Sequence, residues 1–163
     1  MNLPLPFRIF NGISVLLFAA FAFFQYNDID PIVYHRASSL DAALWLGFYA
    51  LIAILFALSL FQKAAPRWLL LAGALACLVE MGRTGWGLWI NIFGTEEFTM
   101  MQVSMSAEDP RVELSREFFG ALLALAAVML LWWERRKFTA DLPSPAGKSS
   151  SSPPGIREES DES

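Results

Sequence analysis

Four long stretches with almost no ionisable side chains constrain this chain more than any other feature. A helix needs about 20 mostly apolar residues to cross a hydrocarbon core of roughly 30 Å. The first stretch runs from Ile9 to Phe24, and its clearly polar members are Asn11 and Ser14. The second, Ala42 to Phe61, and the fourth, Phe118 to Trp133, carry no charge. The third is apolar from Trp68 to Val79, meets Glu80 and Arg83, and continues through Trp86, Leu88, Trp89, Ile90 and Ile92. Only helices and closed barrels satisfy the backbone inside lipid, and the period-two alternation of barrel strands is missing. The expectation is an all-α integral membrane four-helix bundle, residues 1–138, with spans at about 9–26, 42–61, 68–92 and 116–134.

The third span has a rival. A charge deep in the bilayer is costly unless paired or wetted, so Trp68–Val79 alone could dip into the membrane of a three-helix protein. Trp86 and Trp89, placed as an aromatic belt, favour a full crossing. The first span has one too: Arg8, an apolar run and Ala20-Phe21-Ala22 imitate a cleavable secretory signal, although large Phe residues crowd that site.

Composition fits a membrane protein. The chain is 55% hydrophobic and 17% charged, against about 45–50% and 25% in soluble domains. A net charge of -4 argues against nucleic acid as a partner, and one cysteine excludes an internal disulfide framework. Residues 139–163, rich in Ser, Pro and acid, have only Ala140, Leu142, Ala146 and Ile156 as hydrophobic members. That composition predicts a disordered tail. No internal repeat is visible.

Positive charges set orientation. One side carries eight, at Arg8, Lys63, Arg67, Arg135, Arg136, Lys137, Lys148 and Arg157; the other carries three, at Arg36, Arg111 and Arg116. Both termini are therefore expected in the cytoplasm, with the cell (inner) membrane as the location if the source is bacterial. The Arg135–Arg136–Lys137 run after Trp132 and Trp133 reads as a membrane anchor. Ser38 and Asp41 form a candidate capping pair before the second helix, and Asp109-Pro110 a cap that starts the fourth about two turns before the membrane.

The chemistry gathers on the other side. Gln25, Asn27, Asp28 and Asp30 follow the first span, Glu80 and Arg83 sit in the third, and Glu113, Arg116 and Glu117 precede the fourth. At about 100° per residue, Glu80, Arg83, Thr84 and Gly87 share a stripe, as do Glu113, Arg116, Glu117 and Gly120. Both stripes are expected to face the bundle interior, with Arg116 forked onto Asp28 or Asp30 and Arg83 paired with Glu80. An ion-pair network that only pins helix packing would satisfy the same pattern.

Other residues read more plainly. His35, the only histidine, is expected exposed in a loop, without a second His to share a metal. Asp28 and Asp30 alternate as in a calcium loop but lack the remaining ligands. Cys77 reads as a small packing residue, and Met100, Met101 and Met105 as an interfacial or core-capping surface. Neither a catalytic residue, a metal site nor a cofactor is expected.

The pattern Gln25-x-Asn27-Asp28-x-Asp30-Pro31, with Arg116-Glu117-x-x-Gly120 opening the last helix, resembles the transmembrane protein 220 family over most of residues 9–133. Ile29 stands where proline is usual and Tyr34 where tryptophan is expected, and the polar members are intact. The resemblance implies a small multi-pass membrane protein and supplies no reaction. The reading is a non-enzymatic structural, partner-binding or accessory subunit, in contact with the lipid bilayer and with a membrane protein partner or further copies of itself. The alternative is a small transporter or proton-relay component working as an oligomer. A third reading, a membrane enzyme using its carboxylates, lacks a His pair or a nucleophile.

Overall fold

The computed structural model describes residues 3–27, 30, 32–35 and 38–139. The expected tail lies outside them, apart from Thr139, the last residue of the final helix. The described residues form four long helices and no strand; one isolated bridge joins Ser106 and Asp109.

Helix α1 (Leu5–Phe24) starts ahead of the apolar run, behind Pro4 and with a proline in its first turn. Proline suits that place because its fixed φ is already helical and its missing N–H has no partner to lose. A 3-10 turn, Gln25–Asn27, ends it. Helix α2 (Ser39–Leu60) is capped by Ser38, whose hydroxyl accepts from Leu40 N at 3.2 Å. Asp41 lies in the first turn, where the positive end of the helix dipole favours a carboxylate. At the far end Gln62 takes φ 61°, while Gln62 N reaches Ser59 O and Lys63 N reaches Leu58 O, both at 2.8 Å. That is the Schellman arrangement, with glutamine where glycine is usual.

Helix α3 (Arg67–Phe93) has 27 residues, a length of about 40 Å at 1.5 Å per residue. It exceeds a hydrocarbon core, so its ends reach the headgroups. Helix α4 (Arg111–Thr139) starts beyond Pro110, whose carbonyl accepts from Leu114 N, while Asp109 Oδ1 accepts from Arg111 N at 3.3 Å. Its last turn carries Arg136 and Lys137. Arg136 lies 5.4 Å from the Trp132 ring centre and Lys137 4.8 Å from that of Trp133.

The four helices make two hairpins. α1 packs mainly on α2, α3 mainly on α4, and α2 meets α4 along the seam. Phe18, Ile52, Leu55, Phe56, Leu70, Ala124, Val128 and Leu131 fill the core. Small residues draw α3 and α4 together: a Cβ added at Gly87 would collide with Leu114 Cβ, and one at Gly73 would sit 3.4 Å from Val128 Cγ2. Membrane helices use such positions because close backbone approach replaces the hydrophobic drive that lipid cannot supply. Phe7 contacts both Trp133 and Phe138, which puts the start of α1 beside the end of α4.

The outer surface is unlike that of a soluble protein. Leu16, Phe23, Leu71, Leu75, Trp89 and Val79, among others, are exposed. A belt of apolar side chains around four long helices is what lipid contact demands.

Candidate functional site

The loop end of the bundle holds a cavity of about 680 Å³. Its lining includes four aromatic side chains from the helices, Phe21, Trp45, Tyr49 and Phe119. Polar groups that line it include Gln25 after α1, His35 and Ser38 before α2, Asp41 on α2, and Glu113, Arg116 and Glu117 on α4. Gly120 is part of the wall because a Cβ there would strike the Tyr49 hydroxyl. Tyr49 has little room to yield, since Trp45 stacks on it at 5.4 Å and Phe21 packs edge-on at 5.5 Å.

The segment after α1 is tied down by α4. His35 N donates to Glu113 Oε2 at 2.6 Å, and His35 Nδ1 donates to Ala107 O at 2.9 Å. His35 is therefore part-buried at the cavity, not the exposed loop residue its isolation in the sequence suggests. Both of its bonds go to backbone or to a distant helix, which local pattern cannot foresee.

Arg83 is held as expected by Glu80, Nε to Oε2 at 2.7 Å. It also reaches α4, with Nη2 2.9 Å from Glu117 Oε2. The triad does not lie wholly inside the bundle. The side chains of Arg83, Glu80 and Glu117 are 45%, 31% and 18% exposed. Thr84 and Gly87 take the interior face of α3, and the stripe that also carries Arg83 straddles its edge.

Arg116 is exposed and makes no hydrogen bond or ion pair with Asp30 or any other described residue; the expected pairing with Asp28 lies outside them. Asp30 is instead used locally: its Oδ1 accepts from Ile32 N at 2.9 Å and closes a turn. Asp28 lies outside the described residues, and Asn27 ends the 3-10 turn. Asp41 does not complete a capping box either, because it has no bond back to the Ser38 backbone.

Two polar networks were not singled out from the sequence. At the loop end, buried Asn91 donates to Ser115 Oγ at 2.9 Å and to Thr99 O at 2.8 Å. Its Oδ1 accepts from Arg111 Nη1 at 3.0 Å, and Arg111 also binds Asp109 Oδ2 at 2.7 Å. This staples the long connection between α3 and α4 onto both helices. At the opposite end, three helices contribute to one knot. Ser59 Oγ donates to Glu134 Oε2 at 2.7 Å, and Asn11 Nδ2 donates to Glu134 Oε2 and to Ser59 Oγ, each at 3.1 Å. Glu134 is fully buried, and Glu134 Oε1 and Asn11 Oδ1 have no partner among the described residues. The signal available beforehand was three polar residues at one membrane end: Asn11, Ser59 and Glu134.

Between the two polar ends lies an apolar layer built by Phe18, Ile52, Phe56, Ala124 and Val128. Phe18 and Phe56 stack nearly parallel at 5.9 Å. From Tyr49 to Ser59 is ten residues of one helix, about 15 Å of rise. Among the described residues no group of three or more His, Cys, Asp or Glu side chains is set to hold a metal. Cys77 is buried in the core.

Four apolar helices in two antiparallel hairpins define a multi-pass helical membrane protein. A family model described as transmembrane family 220, helix, matches residues 17–133, and the chain belongs to that family. No curated protein and no solved structure matches the chain.

Proposed function

We propose that this protein is a non-enzymatic accessory subunit that docks a partner membrane protein against the flank of α3 and α4, with both termini in the cytoplasm. The observation that carries the reading is the half-exposed Glu80–Arg83–Glu117 triad. Arg83 lies sixteen residues into α3, about 24 Å from its start. It sits below exposed Trp86 and Trp89, on a flank that also exposes Leu75 and Val79. Two acids on one arginine leave a net negative charge there, and uncovered ionic groups at this depth are expensive in lipid. A partner helix carrying a Lys, Arg or hydrogen-bond donor would cover the triad and match its charge. Two copies meeting face to face would bring like charges together, which favours a different chain as partner.

Several other polar groups at this end support a structural role because they are already engaged. Glu113 holds His35, and Ser115 bonds both Arg111 O and Asn91. A relay or transport role has the cavity carboxylates in its favour and the apolar layer beneath them against it. Photo-crosslinking in native membranes tests the docking reading. A crosslinker at Val79 or Trp86 is expected to capture one defined membrane protein, and one at Leu16 on α1 is not. Capture that is equal from all three positions, or that survives Arg83→Gln with Glu80→Gln, refutes it.

A further inference from the structure

The cavity at the loop end has a feature that partner docking does not use. Among the four charged side chains that line it, Asp41 and Arg116 are of opposite sign, and neither makes a hydrogen bond or ion pair among the described residues. They share one cavity and do not pair with each other. Charges left this way in a concave site are complementary to a ligand that carries both signs on a short bridge.

We propose that the cavity binds the headgroup of a zwitterionic phospholipid with a primary amine, its phosphate on Arg116 and its ammonium on Asp41. Arg116 suits a phosphate because its planar fork donates two parallel N–H bonds. A primary ammonium donates N–H bonds that a carboxylate accepts, whereas a quaternary ammonium has none to give Asp41. Glu113 and Glu117 also line the cavity, and they are engaged by His35 N and Arg83. Their negative charge disfavours a purely anionic lipid and adds to the pull on the ammonium.

Size and position agree. A volume of about 680 Å³ lies within the roughly 300–1,000 Å³ of small-ligand sites. It holds a headgroup with its glycerol and the start of a chain, so the acyl chains must leave between helices. Phe24 and Phe119 line the cavity and are themselves exposed, giving the chains an apolar exit to the bilayer. The Asp41 end of α2 and the first turns of α4 place the charges where headgroups lie.

Native mass spectrometry of the full chain, released from detergent with equal amounts of dioleoyl phosphatidylethanolamine, phosphatidylcholine and phosphatidylglycerol, tests this. Phosphatidylethanolamine is expected to be retained at least fivefold over each of the others. Asp41→Asn and Arg116→Gln should each abolish that preference, while Asp41→Glu and Arg116→Lys should keep at least half of it. Equal retention of the three lipids overturns the proposal, as does a preference unchanged by Asp41→Asn. Free phosphoethanolamine at tenfold excess should not displace the lipid; full displacement would assign the site to a soluble ligand and overturn the lipid. A loss of preference in all four variants together, with unchanged thermal unfolding, also overturns it.

Discussion

The knot of Asn11, Ser59 and Glu134 gives the sharpest prediction, because it carries both satisfied and unsatisfied atoms. Glu134 Oε2 accepts two hydrogen bonds, from Ser59 and Asn11, while Glu134 Oε1 and Asn11 Oδ1 accept none. Both are acceptors that lack a donor. Glu134→Gln keeps the shape and the Oε2 role, replaces Oε1 with an NH₂, and offers a donor beside Asn11. An orphaned buried polar atom costs about 1–3 kcal/mol, and interhelical bonds in lipid average about 0.6 kcal/mol. The variant should therefore gain about 1 kcal/mol. Glu134→Leu takes the acceptor away from two donors on α1 and α2 and should lose about 2 kcal/mol. At roughly 3 °C per kcal/mol for a chain of this size, the two variants should differ by about 9 °C in Tm. Tryptophan fluorescence of the full chain unfolding in lipid nanodiscs measures this. If Gln destabilises as much as Leu, the missing donors are not what limits the knot and the reasoning fails.

Gly87→Ala should destabilise by about 1–3 kcal/mol, since its new Cβ meets the Cβ of Leu114 and neither can rotate away. Gly82→Ala, with open space around it, should instead stabilise by about 0.5–1 kcal/mol through helix propensity; the same unfolding assay compares them. Gln62→Gly should be neutral or gain up to about 1 kcal/mol, because φ 61° strains a side-chain-bearing residue, and a clear loss would contradict the Schellman end to α2. A fluorescent reporter fused after Ser163 should be active in the cytoplasm, and a cysteine at Val103 in the long connection should label from outside intact cells. The reverse pattern would invert the orientation.

The fold was readable because span length is a physical requirement of the bilayer, and α2 and α4 meet it without a single charge between Ala42 and Phe61 or Phe118 and Trp133. Local features were readable as well: Ser38 as a cap, and Arg83 with Glu80 one turn away. Facing was harder. Lipid is as apolar as the core, so Leu75 on the outside and Leu70 on the inside carry the same signal. That is why the helical stripe predicts Arg83 in the interior while the side chain sits on the edge. Its reach to Glu117, and that of Glu113 to His35, cross between elements and depend on how the hairpins meet. Glu134 gives no sequence signal of its burial, because it directly precedes Arg135, Arg136 and Lys137 and reads there as one more interfacial charge. Only assembly of α1, α2 and α4 buries it.

Pairing the helices as neighbours in sequence has a consequence for biogenesis. α1 and its main partner α2 are consecutive in the chain, and so are α3 and α4. A ribosome therefore delivers a finished half before the second is synthesised. What remains afterwards is lateral docking along one seam, where Asn11 and Ser59 wait for a carboxylate that arrives last. Glu134, contributed by the last helix, is then the group whose bonds to Asn11 and Ser59 distinguish docked halves from separate ones.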